Sequence, residues 1–401
     1  MKKVLVLTTT FPRWVNDTTP PFVFKLSSLI GRKYKIIVLA PHHFGAKKKE
    51  LMENLEVNRF SYFFPKKYQK VAYGAGILTN VNSSFLAKLQ VPFFLNSEIK
   101  AAKRIIKNND IKLLHAHWMV PSGFIGVLLK KKFNIPLIVT VHGSDLFPLK
   151  NKFFRHLQKT IVENADVVTI SSETARKELI SRFPKIKNKV IRITMGIDTS
   201  IFRQRNVKNR FVEYKNNKII LFVGRLNEQK GVEYLIKAIQ KVKNIENSIK
   251  LLVIGGGDYK IKLKGIVDEL GLKDYVEFLG PKAQKEIVDY YNLADVFVLP
   301  SVTSKIGTEA LGLVLVEAMS CGTCVIGSSS GGIKEVISDG NNGLIFKEKD
   351  SDDIFEKIIR VLKDKKLNKK LRKNGIQYAR AAFDWEIISE KFLKIYGGLI
   401  K

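Results

Sequence analysis

The chain has 401 residues, a length that suits two domains of about 200 each. With 45% apolar and 26% charged residues it is globular rather than disordered, and no apolar run approaches the roughly 20 residues that span a bilayer. The net charge of +32 is uneven: residues 1–200 hold 34 Lys+Arg against 12 Asp+Glu, and residues 201–401 hold the remaining 35 against 25. A basic half fits an anionic partner such as a phospholipid surface, a nucleic acid or a phosphorylated substrate. A lysine-rich proteome would leave the same signature.

In chain order, residues 4–7 follow two lysines and are too short for a signal peptide, so they read as a first strand and the protein as cytoplasmic. Short β-branched runs continue at 36–39, 113–115, 137–141, 167–170 and 190–193. A second set falls at 219–223, 251–254, 276–279, 296–299 and 324–326. Their near-continuous apolar character is that of parallel strands buried on both faces. Amphipathic helices are expected at 231–243, 260–270, 284–293 and 352–363, with a last one at 385–400. This alternation predicts an α/β fold of two doubly wound Rossmann-like domains, with ligand in a cleft at the carboxyl ends of the strands. The pattern breaks in the polar stretch 195–210, which gives domains at 1–203 and 204–380 and a terminal segment, 381–401, returning to the first.

Several motifs carry chemistry. Residues 59–70 mix aromatics with cations and suit a lipid headgroup layer, stacking on sugar, or a plain strand and turn. His115 and His117 alternate at one strand end and His142 ends the next, just before Gly143, which points to a polar cleft. In Phe222-Val-Gly-Arg-Leu-Asn-Glu-Gln-Lys-Gly231 a buried strand releases Arg225 and Lys230, two cations able to neutralise a diphosphate. Gly255 opens a glycine turn that lets backbone approach a ligand, but no Gly-x-Gly-x-x-Gly follows, so a dehydrogenase is disfavoured.

The most informative run is Thr308-Glu-Ala-Leu-Gly-Leu-Val-Leu-Val-Glu-Ala-Met-Ser-Cys-Gly322. It places Glu309 before a predicted helix and Glu317 inside it, with the amides around Gly312, Leu313 and Val314 unpaired at the helix start. Carboxylates that grip hydroxyls thus flank donors that grip phosphate, and a sugar nucleotide offers both groups. Cys321 and Cys324 follow that helix instead of preceding one, so they read as buried thiols. Asp350, ahead of an amphipathic segment, reads as a helix cap and not as a metal ligand.

Together these residues resemble glycosyltransferase family 4, the retaining transferases of the two-domain GT-B fold. The resemblance covers nearly the whole chain. It rests on Gly224-Arg-Leu-x3-Lys-Gly231, Val276-Glu-Phe-Leu-Gly280, Pro300-Ser301, Glu309-x7-Glu317 and Gly331-Gly-Ile-Lys-Glu335, with Val141-His142-Gly143 and Met195-Gly-Ile-Asp198 earlier. The family's glycine-rich first loop is absent here; Ala310 stands for a usual Gly and Cys324 for a usual Pro.

The resemblance implies an acceptor-side first domain and a nucleotide-sugar-binding second domain. Arg225 and Lys230 would hold the donor diphosphate and Glu317 the ribose. Glu309 and His142 would meet the transferred sugar. Gly312, Leu313 and Val314 would offer amides to phosphate, and Phe278, Leu279 and Gly280 would frame the base beside Gly255. No metal and no cofactor are expected beyond the co-substrate, a UDP- or GDP-sugar. The expected activity is transfer of a hexosyl unit to a glycan or lipid-linked acceptor in cell-surface polysaccharide or glycolipid synthesis. The site of action is expected in the cytoplasm or on the inner face of the cell membrane, against anionic lipid. A sugar-nucleotide epimerase of the same fold is the alternative. A basic nucleic-acid-binding protein follows from composition alone, with no recognised module to support it, and no nucleic-acid partner is expected.

Overall fold

The computed structural model describes the chain apart from Asn16, Thr18, Pro20, Ala75, Ser144, Pro148, Lys150, Lys305, Ile306 and Lys401, and the side chain of Lys208. The described residues form two compact units, Met1–Thr194 with Trp385–Lys401, and Met195–Asp384.

The first unit is built on an eight-stranded sheet: β1 (Lys3–Leu7), β2 (Lys35–Pro41), β3 (Lys49–Met52), β4 (Leu55–Phe60), β5 (Ile111–His117), β6 (Leu137–Val141), β7 (Val167–Ile170) and β8 (Val190–Arg192). Their spatial order is β3-β4-β2-β1-β5-β6-β7-β8, parallel except for β3, which pairs antiparallel with β4. The inner strands are buried nearly throughout, which is why they read as unbroken apolar runs. The edge hairpin of β3 and β4 has no such signature. Leu55 and Val57 are buried while Glu56 and Asn58 are half-exposed, so β4 alternates like a strand covered on one face.

Residues 59–70 prove to be the end of β4 followed by a short turn at Lys66–Tyr68. Helix Phe85–Asn108 begins where the Ser84 hydroxyl accepts the Ala87 amide at 3.3 Å, and it carries Pro92 inside. It buries Ala87, Gln90, Phe94, Glu98, Ala102 and Ile105 at three- and four-residue intervals, the face of a helix laid on a sheet. The terminal helix Trp385–Leu399 packs in this unit. Tyr396 is buried against Tyr34, with ring centroids 5.6 Å apart.

The second unit holds β9 (Lys218–Val223), β10 (Ile249–Ile254), β11 (Val276–Gly280), β12 (Val296–Leu299), β13 (Cys324–Ser328) and β14 (Leu344–Phe346). They lie in the order β11-β10-β9-β12-β13-β14, all parallel. In chain terms this is 3-2-1-4-5-6, the doubly wound pattern whose crossovers reverse between β9 and β12. Helices Val232–Val242, Lys260–Glu269, Gln284–Leu293 and Ser351–Lys363 form close to where their apolar periodicity places them. Asp350 caps the last of these, accepting the amides of Asp352 and Asp353. Cys321 and Cys324 are free and buried, and burial pushes each thiol up to about 12.

Two glycines of this unit separate backbone constraint from mere glycine content. A Cβ on Gly255 (φ +139°) would stand 1.8 Å from the Gly224 carbonyl oxygen, whereas one on Gly265, inside helix Lys260–Glu269, would meet nothing within 4 Å. Gly255→Ala should therefore cost about 2–4 kcal/mol. Gly265→Ala should add about 0.5–1 kcal/mol through helix propensity. Urea denaturation of the two variants checks this, and equal midpoints would contradict the close approach.

Candidate active site

The crossovers reverse between β9 and β12, the switch point at which doubly wound sheets take ligand. From β9 the chain runs through Gly224, whose amide donates to the Ile254 carbonyl at 3.0 Å. It then runs through Leu226, whose amide donates to the Gly256 carbonyl at 2.9 Å. Gly257 lies as close as Gly255: a Cβ there would be 2.2 Å from the Leu226 oxygen. The loop is thereby laced to the end of β10, and Arg225 stands exposed on it.

Next the Asn227 side chain accepts the Lys230 amide at 3.2 Å, and Gly231 turns in the left-handed region (φ +60°). A Cβ on Gly231 would be 2.1 Å from the Pro300 oxygen, so the loop lies directly on the exit of β12. This delivers Lys230 to Glu309. The ammonium donates to Glu309 Oε2 at 2.5 Å, and the Ser301 hydroxyl donates to the same oxygen at 2.7 Å.

Glu309 is fixed from beneath as well. Cβ atoms on Gly331 and Gly332 would lie 2.2 and 2.1 Å from the carbonyl oxygens of Glu309 and Ala310, and the Gly332 amide donates to Glu309 O at 2.9 Å. Gly312, at φ +75°, starts helix Leu313–Ser320, which has no side-chain cap. The amides of Leu313 and Val314 have no acceptor within the helix, so they present donors and the positive end of the helix dipole.

Glu317 lies one turn further, half-buried, and Tyr291 Oη donates to its Oε2 at 2.9 Å. Burial pushes its carboxyl up to about 7, a rise that the Tyr291 hydrogen bond only partly offsets. At the far side of the sheet the Gly255 amide donates to Gly280 O at 3.0 Å, with Phe278 and Leu279 half-buried beside it.

The residues singled out in the sequence thus fall into groups. Lys230, Glu309 and Gly312 converge, the last with its Cβ position 3.7 Å from Glu309 Cγ. Gly255 and Gly280 meet. The side chains of Arg225 and Glu317 make no hydrogen bond to the others among the described residues. Ser301, Tyr291, Gly331 and Gly332 had no assigned role. Ser301 and the glycine pair sit in motifs visible in the sequence, but Tyr291 is mid-helix and is tied to Glu317 only by the fold. As chemistry, the group offers a lysine and helix amides for phosphate, and carboxylates for hydroxyls.

In the first unit the three histidines gather at the ends of β5 and β6, His115 and His117 buried with ring centroids 4.3 Å apart and His142 half-buried beside them. His142 Nε2 and His117 Nδ1 share a hydrogen bond at 3.1 Å. His115 bonds Thr140 Oγ1 through Nε2 and the Tyr396 hydroxyl through Nδ1, both at 2.7 Å. The His142 ring lies 4.5 Å from that of Trp118 and 5.1 Å from that of Phe22. Asp145 holds this corner together, accepting the amides of His142 (3.1 Å) and Met119 (2.6 Å). Burial pushes His115 and His142 down to about 3 and His117 well below its usual range, so all three are neutral near pH 7.

Comparison with known proteins is consistent along the chain. Residues 26–201 match the model described as Glycosyltransferase Family 4, and residues 203–378 the model Glycosyl transferases group 1. An uncharacterized glycosyltransferase of Methanocaldococcus jannaschii is 32% identical over 86% of this chain and 92% of its own. Among solved structures, sucrose-phosphate synthase from Thermosynechococcus elongatus superposes with a TM-score of 0.80 over 100% of this chain and 99% of that one, at 23% identity. The Anabaena HepE protein in complex with UDP-glucose gives 0.74 over 99% and 100%, at 18% identity. These structures share the fold, and the sequence relationship carries the family: the chain belongs to the family 4, group 1 glycosyltransferases and has the GT-B fold.

Proposed function

We propose that the second unit binds a nucleoside diphosphate sugar, UDP- or GDP-linked, at the junction of β9, β12 and helix Leu313–Ser320. The chain would then transfer its hexosyl unit to a glycan or lipid-linked acceptor with retention of anomeric configuration. The observation that carries this is the convergence of Lys230, Ser301 and Glu309 beside an uncapped helix start at the topological switch point. The HepE complex with UDP-glucose, a protein of the same fold, supports the choice of donor class.

In this reading the bond between the anomeric carbon and the β-phosphate oxygen breaks, leaving negative charge on the diphosphate. Lys230, Arg225 and the Leu313 and Val314 amides offset that charge as it develops. The acceptor hydroxyl forms the new bond to the anomeric carbon and gives its proton to the leaving phosphate. Glu309, released from Lys230, accepts from hydroxyls of the sugar, and Glu317 accepts from those of the ribose. No step requires a metal. The acceptor is membrane-borne or a surface glycan precursor, met at the cytoplasmic face.

A thermal-shift panel of UDP-, GDP- and ADP-sugars in the presence of EDTA tests the binding step. One nucleotide should raise the melting temperature, because binding adds about 2.7 kcal/mol of apparent stability at a hundredfold excess over Kd. With that donor, Lys230→Ala and Glu309→Gln should each lower turnover by about 10²–10³-fold. Full activity in either variant contradicts the assignment, and so does an altered nucleotide sugar formed without a new glycosidic bond.

Glu317 gives the reading a pH signature. Only the ionised carboxylate accepts from two hydroxyls, so donor affinity should fall as pH drops through about 7, approaching tenfold per unit below it. The free chain behaves oppositely. Its carboxyl is raised above the ordinary 4.5, so the native state holds the proton more tightly than the unfolded chain. Stability should therefore decline as pH climbs from 4.5 to about 7 and then level off. Isothermal titration should give wild-type affinity that varies with pH and Glu317→Gln affinity that is weak and flat. An equally pH-dependent Glu317→Gln would assign the titration to another group.

A further inference from the structure

The first unit carries a cavity that the transferase reading leaves unexplained. It has a volume of about 640 Å³ and lies at the β3–β4 edge of the sheet, against helix Phe85–Asn108. Its floor is apolar, formed by Leu39, Phe60 and Ile105, and its walls are cationic. From the helix come Ser97, Lys100, Ala101 and Arg104, spaced so that all four share one face, with the small Ala101 opening the space between the two cations. Lys48 and Lys49 enter from the edge hairpin, and Arg59 from β4.

Three observations separate this cavity from the generally lysine-rich surface. Its lining contains five cations and no carboxylate. The four exposed ones, Lys48, Lys49, Lys100 and Arg104, make no side-chain hydrogen bond or ion pair with another described residue, so each keeps its donors for a ligand. Two lining residues also carry buried polar atoms without a hydrogen-bond partner among the described residues, Ser61 Oγ and Arg59 Nε. The rest of the Arg59 guanidinium is committed, to Glu50 and to the Lys47 and Pro12 carbonyls, so its charge is paired and Nε is the donor it keeps for a ligand.

We propose that this cavity is an anion site for a phosphate ester or diphosphate, separate from the donor site of the second unit. Opposed cations from a strand edge and a helix face would hold the phosphate oxygens, with Asn58, Ser61 and Ser97 as hydroxyl and amide partners for the rest of the ligand. The volume falls within the roughly 300–1,000 Å³ of small-ligand sites. The same chemistry is offered by an anionic lipid headgroup and by a free phosphorylated compound. The inference does not depend on which nucleotide sugar, if any, the second unit binds.

The test uses the full chain in two arms, inorganic pyrophosphate by isothermal titration and co-sedimentation with phosphatidylcholine vesicles with or without phosphatidylglycerol. Lys100→Gln/Arg104→Gln is compared with Lys185→Gln/Lys187→Gln, which removes the same charge from exposed positions elsewhere in the unit. Pyrophosphate at the second unit is common to all chains and cancels. The pocket pair should weaken binding about tenfold in at least one arm while the control pair stays near wild type. Loss in the vesicle arm with pyrophosphate competing identifies a headgroup; loss in the titration alone identifies a soluble phosphate. If both pairs lose equally, net charge suffices and the site is refuted, as it is if neither changes in either arm.

Discussion

Lys230 and Glu309 share one site at the mouth of the second sheet, and the surrounding backbone is built to keep them there. The two residues come from loops 79 positions apart, yet glycines allow close backbone approach to both: Gly231 sets the Lys230 loop on the Pro300 carbonyl, and Gly331 and Gly332 sit on the carbonyls of Glu309 and Ala310. An ion pair of this kind adds little to folding. Its Coulomb energy, about 4 kcal/mol at 4 Å with an effective dielectric of 20, is largely offset by desolvation of two half-buried groups. What the arrangement supplies is a cation and a carboxylate held side by side, the first able to exchange Glu309 for a phosphate and the second able to exchange Lys230 for hydroxyl donors. A phosphate taking Lys230 frees Glu309 Oε2 to accept hydrogen bonds from neutral hydroxyls in addition to Ser301.

The two units treat their titratable groups in opposite ways. In the first, burial holds His115, His117 and His142 neutral far below pH 7, so the bonds of His115 to Thr140 and Tyr396, and the bond between His117 and His142, do not vary across the physiological range. In the second, burial lifts Glu317 to about 7, where small changes in surroundings decide its charge. Ligand hydroxyls donating to that carboxylate would favour its ionised form, which couples donor binding to proton release.

Much of this was legible in the sequence because it is local. Parallel strands buried on both faces announce themselves as apolar runs, and helices Val232–Val242 and Gln284–Leu293 by their periodicity. The Glu309 to Glu317 spacing was informative because one residue precedes a helix and the other lies within it. Elements that depend on partners were not visible. The β3–β4 hairpin is half-exposed and charged, and β14 is only three residues long. Helix Phe85–Asn108 carries a proline and buries Gln90 and Glu98, which blurs its apolar face. At the site, Tyr291 reaches Glu317 across 26 residues, and nothing local marks it. The basic cavity likewise joins residues from Leu39 to Ile105, so the charge count registered the excess of cations but not their convergence.

The most direct measurement is a crystal structure of the full chain with a bound nucleoside diphosphate. Phosphate oxygens should lie within hydrogen-bonding distance of the Leu313 and Val314 amides and of Lys230 Nζ, with Lys230 turned from its contact with Glu309. A diphosphate away from the ends of β9 and β12, with the Lys230–Glu309 pair still closed, would contradict the account.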